Sequence, residues 1–426
     1  MQALAIFIFF TLSAAAEVRT LTLREALDIA LKQNPDVVMA RLDQQRARAQ
    51  ITIEKDAFVP KVFAGSGAAY TNGFPMSIDG NAPALVQART QMAIFNRPQS
   101  YRAAQATENV RGLESDIGQK QDEVAYRVAS LFFDADQAGR SLAAVELQMQ
   151  SLVRVHDLTE VRVSEGRELT IESSRANLKL LQAQQRQLDL NDTIADAETS
   201  LAQALGFGPG DRVHPAREER RLQDSLGSEE ASIQAALDSS REIRKLESNL
   251  QAKNLEIKGT QSERLPKANL IAQYSLLSRF NNYDKFFPRF QRNNFELGVS
   301  FEVPILTGRS ASAATIQAQV DIEKIRAEIG RTRTRITADL QHAYRDIRRA
   351  ESSQKLARAD LDLTRDQLTL DLTRYDEGQA TMAQVEASRA AEQEKWIAYY
   401  DTQHAVELAR LTILKQSGIL LASLEK

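Results

Sequence analysis

The residues of this chain best suited to move a proton or hold a metal are its four histidines, His156, His214, His342 and His404. None stands at a ligand-like spacing from a second histidine or within a carboxylate triad, the patterns that zinc and acid–base sites use. His156 falls on an apolar seam, where a polar residue sets helix register. Cysteine is absent, which removes disulfides, thiolate ligands, thiol nucleophiles and lipid attachment at an N-terminal cysteine. The glycine-rich stretch GFGPGDRV, residues 206–213, lacks the Lys and Ser/Thr of a phosphate loop and reads as a linker. No G-x-S-x-G nucleophile motif occurs. Arg331, Arg333 and Arg335 are the best nucleic-acid candidate, but threonines separate them, acidic residues flank them and no aromatics interleave. A solvated helix face fits them better. A formal net charge of -3, with both signs interleaved, supplies no field toward nucleic acid or an anionic membrane surface. No catalytic, cofactor or metal site is expected, and the chain is read as a non-enzyme.

The elements that could position any site are overwhelmingly helical. Among 426 residues there are only 18 glycines and 10 prolines, while Ala, Leu, Gln, Arg, Asp and Glu dominate, a mix typical of long helices and coiled coils. Val124, Val128, Leu131, Ala135, Ala138, Leu142, Val145, Met149, Leu152, His156, Thr159 and Val163 follow an unbroken 4-3 spacing. A second series does the same from Ile336 through Leu340, Ala343, Ile347 and Leu361 to Asp371 and Tyr375. Such a sustained alternation is a coiled-coil seam. Small and polar residues on both seams suit close packing in a wide assembly more than a tight two-stranded zipper. The long helices are expected from about Ser100 to Glu165 and from about Ser310 to Glu377, each on the order of 100 Å at 1.5 Å per residue. Gly166 and Gly378 suit left-handed C-caps, and a further helical run succeeds each, to about Leu205 and Gln416. Each pair is a long hairpin with its tip at the glycine.

The chain is written twice. ALDIALKQNPDV (Ala26–Val37) matches SIQAALDSSREI (Ser232–Ile243), and the same offset carries Pro60 onto Pro266. RVSEG (162–166) meets RYDEG (374–378) at a slightly larger offset, so the second half gained a few residues between its proline and its long helix. Residues 1–16 are expected to be a signal peptide, 17–210 the first repeat, 211–227 a linker, 228–420 the second repeat and 421–426 a tail. The signal expectation rests on the apolar run Ala3–Leu12 followed by small residues to Ala16, although no Lys or Arg precedes it. That run is shorter than the roughly 20 apolar residues of a membrane helix, and no other segment reaches that length. Any spanning element must then be a β-barrel.

Strand periodicity interrupts the helices in each half. In Phe295–Val303, the residues Phe295, Leu297, Val299, Phe301 and Val303 alternate with Glu296, Gly298, Ser300 and Glu302, and Pro304 ends the run. Its expected partner is Ala268–Leu277. The corresponding pair in the first half is Lys61–Tyr70 and Leu85–Phe95. About ten residues suffice for a tilted strand to cross a bilayer. The same alternation would serve a soluble sheet on a core, but the signal-like N-terminus favours a barrel. So do Phe280, Tyr283, Phe286, Phe287, Phe290, Phe295 and Phe301, which gather like an interfacial girdle. Four strands cannot close a barrel, for which about eight are the minimum, so several copies would have to share one.

The order of helix, strand pair and long hairpin, twice over, resembles the TolC-like outer-membrane efflux protein family. LTLREALDIALKQNPDVVMARLDQQRARAQI (Leu21–Ile51) is similar to the family's opening helix and FVPKV to the approach to its first strand. LGVSFEVPILTGRSASAATIQA (Leu297–Ala318) resembles its strand, Val-Pro step and Gly-Arg helix start, and RYDEGQATMAQVEASRA its hairpin tip. The first strand pair departs, ending in IFNRPQSYRAAQA. The resemblance implies a mainly α fold with a small β part: a homotrimer with a periplasmic α-barrel and a twelve-stranded outer-membrane β-barrel, four strands from each copy. It implies a passive exit duct that meets outer-membrane lipid and docks a periplasmic adaptor linked to an inner-membrane transporter. A soluble periplasmic coiled-coil scaffold is the alternative. Family members pinch the duct near the second tip with acidic rings, a tyrosine and an arginine; by position Asp371, Arg374, Tyr375, Asp376, Glu377 and Glu386 correspond. The span Gly378–Ala387 is one residue shorter than the family's spacing, which leaves Gln384 as an alternative to Glu386. Like charges around an axis repel, and water or cations relieve them, so an acidic ring attracts cations and opens at modest cost.

Overall fold

Helix α1 (Leu23–Gln33) starts where Thr22 and Glu25 cap each other: the Glu25 N–H donates to Thr22 Oγ1 at 3.2 Å and the Thr22 N–H to Glu25 Oε2 at 3.0 Å. It stops at Asn34, whose Oδ1 accepts from the Asp36 N–H at 2.9 Å, and Pro35 opens α2 (Pro35–Lys55). The computed structural model describes residues 18–67, 70, 72, 83–216, 227–277, 291–305 and 309–424. After α2 come strands β2 (Lys61–Gly65) and β3 (Ala84–Phe95), then α3 (Arg97–Ser164) and α4 (Thr170–Ala204). The same order returns as α5 (Glu229–Ser239), α6 (Arg241–Gln261), β5 (Lys267–Leu277), β6 (Asn293–Glu302), α7 (Ser310–Asp376) and α8 (Met382–Gln416). A short α9 (Leu420–Leu424) completes the chain. The α1–α2 break at Asn34 returns as the α5–α6 break at Ser240.

Two compact units are built from interleaved stretches of chain. One comprises Met1–Ala40, Ile117–Ser240 and Arg333–Lys426, the other Arg41–Asp116 and Arg241–Thr332. In the first, Leu27 and Val37 pack with Val128 and Phe132 of α3, Leu201 of α4, and Leu411 and Leu420. Burying each such side chain is worth about 1.5–3 kcal/mol. The seam residues predicted on α3 and α7 turn inward here: Val128, Ala138, Val145, Leu340 and Leu361 are fully buried. Helix α8 lies between α3 and α7. It meets α3 through Val145 against Ile397 and meets α7 through the ion pairs Lys395–Asp360 (2.8 Å) and Arg365–Glu392 (3.5 Å).

One strand pair escaped the sequence reading. Val18–Leu21 forms β1, which pairs in parallel with β4 (Arg212–Pro215). Part of the stretch expected to be a linker is therefore a strand. Only four residues of ladder are involved, too few for periodicity to reveal. The signal segment, residues 217–226 of the expected linker and residues 425–426 lie outside the described residues.

The second unit holds a four-stranded antiparallel sheet of order β2-β3-β5-β6. The strand expected to reach Tyr70 ends at Gly65, while the other three agree with expectation to within about two residues. At Asn96 the chain passes from β3 directly into α3, and the Asn96 side chain accepts from the Gln99 N–H at 3.2 Å. The other aromatics of the expected girdle, Phe280 to Phe290, lie outside the described residues.

Candidate functional site

The two hairpin tips are built alike. Gly166 has φ 71° and Gly378 has φ 72°. The Arg167 N–H donates to Arg162 O at 2.8 Å and the Gly166 N–H to Val163 O at 3.0 Å; at the second tip Gln379 reaches Arg374 O at 2.7 Å and Gly378 reaches Tyr375 O at 2.9 Å. Both are Schellman caps, which need a left-handed residue at the glycine position. A Cβ at either glycine would meet nothing within 4 Å, so backbone conformation and not space selects glycine. The returning helices open differently. Helix α8 starts at a capping box in which Thr381 and Gln384 bond each other's backbone, at 3.3 and 2.8 Å, whereas α4 starts at an exposed Leu169 with no side-chain cap. Gln384 is thus engaged as a cap.

The residues assigned to the gate by resemblance separate into three groups. Arg374, Tyr375, Asp376 and Glu377 are exposed at the end of the α7 hairpin arm. Asp371, one turn back, ties α7 to α8: Ser388 Oγ donates to its Oδ2 at 2.6 Å and Gln367 Nε2 to its Oδ1 at 3.1 Å. The Ser388 hydroxyl foremost, then Gln367, holds the Asp371 carboxyl below the usual aspartate range. Glu386 is apart from both, with its side chain 0% exposed. Arg389 Nη1 donates to its Oε1 at 2.9 Å, and Arg154 Nε of α3 stands 3.1 Å from its Oε2. That oxygen accepts no hydrogen bond, so Arg154 compensates it by charge alone. The pair joins the first hairpin to the second, a contact that no spacing along the chain announces.

Three of the four histidines stand beside carboxylates, each with its own. His404 Nε2 lies 2.9 Å from Asp134 Oδ1, and His214 Nδ1 2.6 Å from Glu198 Oε1. His156, Asp157 and Glu160 bring their ligand atoms within 4.8 Å of one another, which a search for histidine pairs passes over. Two of the three are exposed carboxylates, and any His-Asp-x-x-Glu turn of a helix produces this grouping.

In the second unit the register sorts the sheet into two faces. One face carries Val62 and Ala64, then Val86, Ala88, Thr90 and Met92, then Leu270, Ala272 and Tyr274, then Phe295, Leu297, Val299 and Phe301. The other carries Lys61 and Phe63, Gln87, Arg89 and Gln91, Asn269, Gln273 and Ser275, then Asn294, Glu296, Ser300 and Glu302. Val62, Val86, Phe295, Leu297, Val299 and Phe301 are exposed on the apolar face. The strands β2 and β6 have no further partner among the described residues. No described helix is long and apolar enough to cross a membrane.

An exposed apolar sheet face, two long capped hairpins and a duplicated chain define a channel protomer. The outer membrane efflux protein family matches residues 26–207 and 232–418, and the chain belongs to that family of outer-membrane channels. The outer membrane efflux protein BepC of Brucella suis is 24% identical over 409 residues, covering 94% of this chain and 86% of BepC. Among solved structures, the Campylobacter jejuni CmeC outer membrane channel superposes with a TM-score of 0.74 at 13% identity, over 93% of this chain and 86% of that one. VceC of Vibrio cholerae gives 0.71 at 15% identity, over 95% and 96%.

Proposed function

We propose that three copies of this chain assemble into one passive exit duct, with the sheets closing a twelve-stranded barrel in the outer membrane. The observation that carries this is the register-sorted sheet with two open edges. In a bilayer every backbone N–H and C=O must be bonded, which only closure provides. An even strand count lets β6 of one copy meet β2 of the next in antiparallel sense. The outer hairpin helices supply matching surfaces: on α7 Leu356, Leu363 and Leu370 recur every seven residues at 73%, 69% and 44% exposure, and α4 exposes Ile171, Leu178, Leu181 and Leu188. Covering such stripes between copies would extend the helix layer into a periplasmic barrel.

The tips would dock a periplasmic adaptor joined to an inner-membrane transporter, as family members do, and the transporter would supply the energy. Residues 1–16 would direct export and be removed. At the second tip, Arg374, Tyr375, Asp376 and Glu377 are free to line a constriction, with Asp371 fastening the hairpin behind them. Glu386 would act through the protomer as an inner tie to Arg154. Light scattering of the detergent-extracted protein tests the assembly. A mass of three chains is expected, and L356D/L363D should shift it toward one chain. Recovery without detergent as a monomer would sink the duct and leave the coiled-coil scaffold.

A further inference from the structure

The polar face of the sheet holds few charges. Among the described strand residues these are Lys61, Arg89, Lys267, Glu296 and Glu302. The outer ones are compensated locally: Lys61 pairs with Asp56, and Lys267 stands directly across the ladder from Glu302. Arg89 and Glu296 are different. They occupy a single row that crosses all four strands, Phe63–Arg89–Gln273–Glu296. Both are exposed. Arg89 Nη2 donates to Gln91 Oε1 at 3.2 Å, and Asn294 Nδ2 donates to Glu296 Oε1 at 3.0 Å. Each bond runs along its own strand to a neutral side chain of the same face. It holds the charged group against the sheet without neutralising it.

We propose that Arg89 and Glu296 form two fixed-charge rings inside the membrane barrel, a pair that balances the ionic field of the lumen and is distinct from the helical tips. The proposal rests on the trimeric-barrel reading. Three-fold symmetry turns each residue into a ring of like charges on the lumen face. Two strand spacings of about 4.8 Å separate the positions within a copy, and the strand tilt of barrels sets the rings about 6 Å apart along the axis. That distance is below the Debye length of about 8 Å at physiological ionic strength. The positive and negative rings therefore screen one another, and the native lumen passes ions of both signs with little preference. Removing either ring exposes the field of the other.

Reversal potentials of single channels in planar bilayers under a KCl gradient test this on the purified full-length protein. R89Q should raise the potassium-to-chloride permeability ratio about threefold, from three unscreened acidic charges about 10 Å from the axis. E296Q should lower it by a similar factor, and the double variant should return it to the wild-type value. Gln273 lies in the same row, so Q273E and Q273K shift the ratio in opposite directions without removing a native charge. Equal reversal potentials in conducting channels of all these proteins overturn the proposal. A wild-type protein that forms no channel overturns the barrel reading and the proposal with it.

Discussion

Replacing Arg154 with methionine should leave the Glu386 carboxylate buried with half its charge compensation gone. Glu386 has no exposed side-chain surface, while the Arg154 side chain is 49% exposed. A pair of unit charges about 4 Å apart is worth about 4 kcal/mol at an effective dielectric of about 20. Exposure of the arginine screens that interaction, and Arg389 remains at 2.9 Å. Loss of a partner from a buried pair costs about 3–5 kcal/mol when nothing else compensates, so about 2 kcal/mol is expected for R154M. E386Q should cost less, about 1 kcal/mol, because both arginines can turn to water while the amide keeps one bond. The pair R154M/E386Q removes both charges and should destabilise less than R154M alone. The assay is a double-mutant cycle on the thermal midpoint of helical circular dichroism of the assembled protein in detergent. If R154M melts with the wild type, or if the cycle is additive, the ion pair does not hold α3 against α8 and the inner-tie reading fails.

Three further outcomes are expected at the tips and the sheet. G378A forces a Cβ residue into the left-handed region at a cost of about 1–2 kcal/mol, so protease nicking at that tip should quicken by at least about fivefold; an unchanged rate would show that the cap is not needed. S388A should raise the Asp371 pKa toward the ordinary range. A carboxyl with a depressed folded pKa stabilises above its unfolded pKa and loses that contribution as pH falls through the folded one. Acid-protease nicking at the second tip should therefore begin at higher pH in S388A than in the wild type, and coincident pH profiles would refute the coupling. L297R places a charge on the lipid face at a cost of about 2–4 kcal/mol near the midplane, and should reduce the fraction of heat-resistant oligomer in outer membranes. S300R on the lumen face should not, and equal loss in both would contradict the assignment of faces.

Features that repeat with a short period were legible in the sequence. The 4-3 seams gave the long helices, and the two-residue alternation of β6 gave a strand with an apolar face. The tip glycines were legible because a left-handed cap admits few residue types. The Arg154–Glu386 pair was not, because it joins residues 232 positions apart through packing that neither segment encodes alone. Glu386 reads as one acidic residue among many near a helix start, and only its burial distinguishes it. The row of Arg89 and Glu296 was hidden for a related reason. Each lies on a recognisable strand, but their shared level depends on the registers of three ladders, including one between the two halves of the chain.

The duplication also explains where the halves diverge. The repeat offset is 206 residues at the opening helices and prolines and 212 at the tips, from Pro60/Pro266 and Gly166/Gly378. Six residues must enter between. In the first half only Asn96 separates β3 from α3, whereas residues 303–309, seven in number, separate β6 from α7. The difference of six matches the change in offset, although the paired strands also differ in length, with 5 residues in β2 against 11 in β5 and 12 in β3 against 10 in β6. A junction of one capped residue fixes how β3 feeds α3, because the Asn96 side chain already bonds the first turn. Since α7 leads to the second tip, where Asp376 and Glu377 are exposed, the longer connection lies on the hairpin arm that carries those acidic residues.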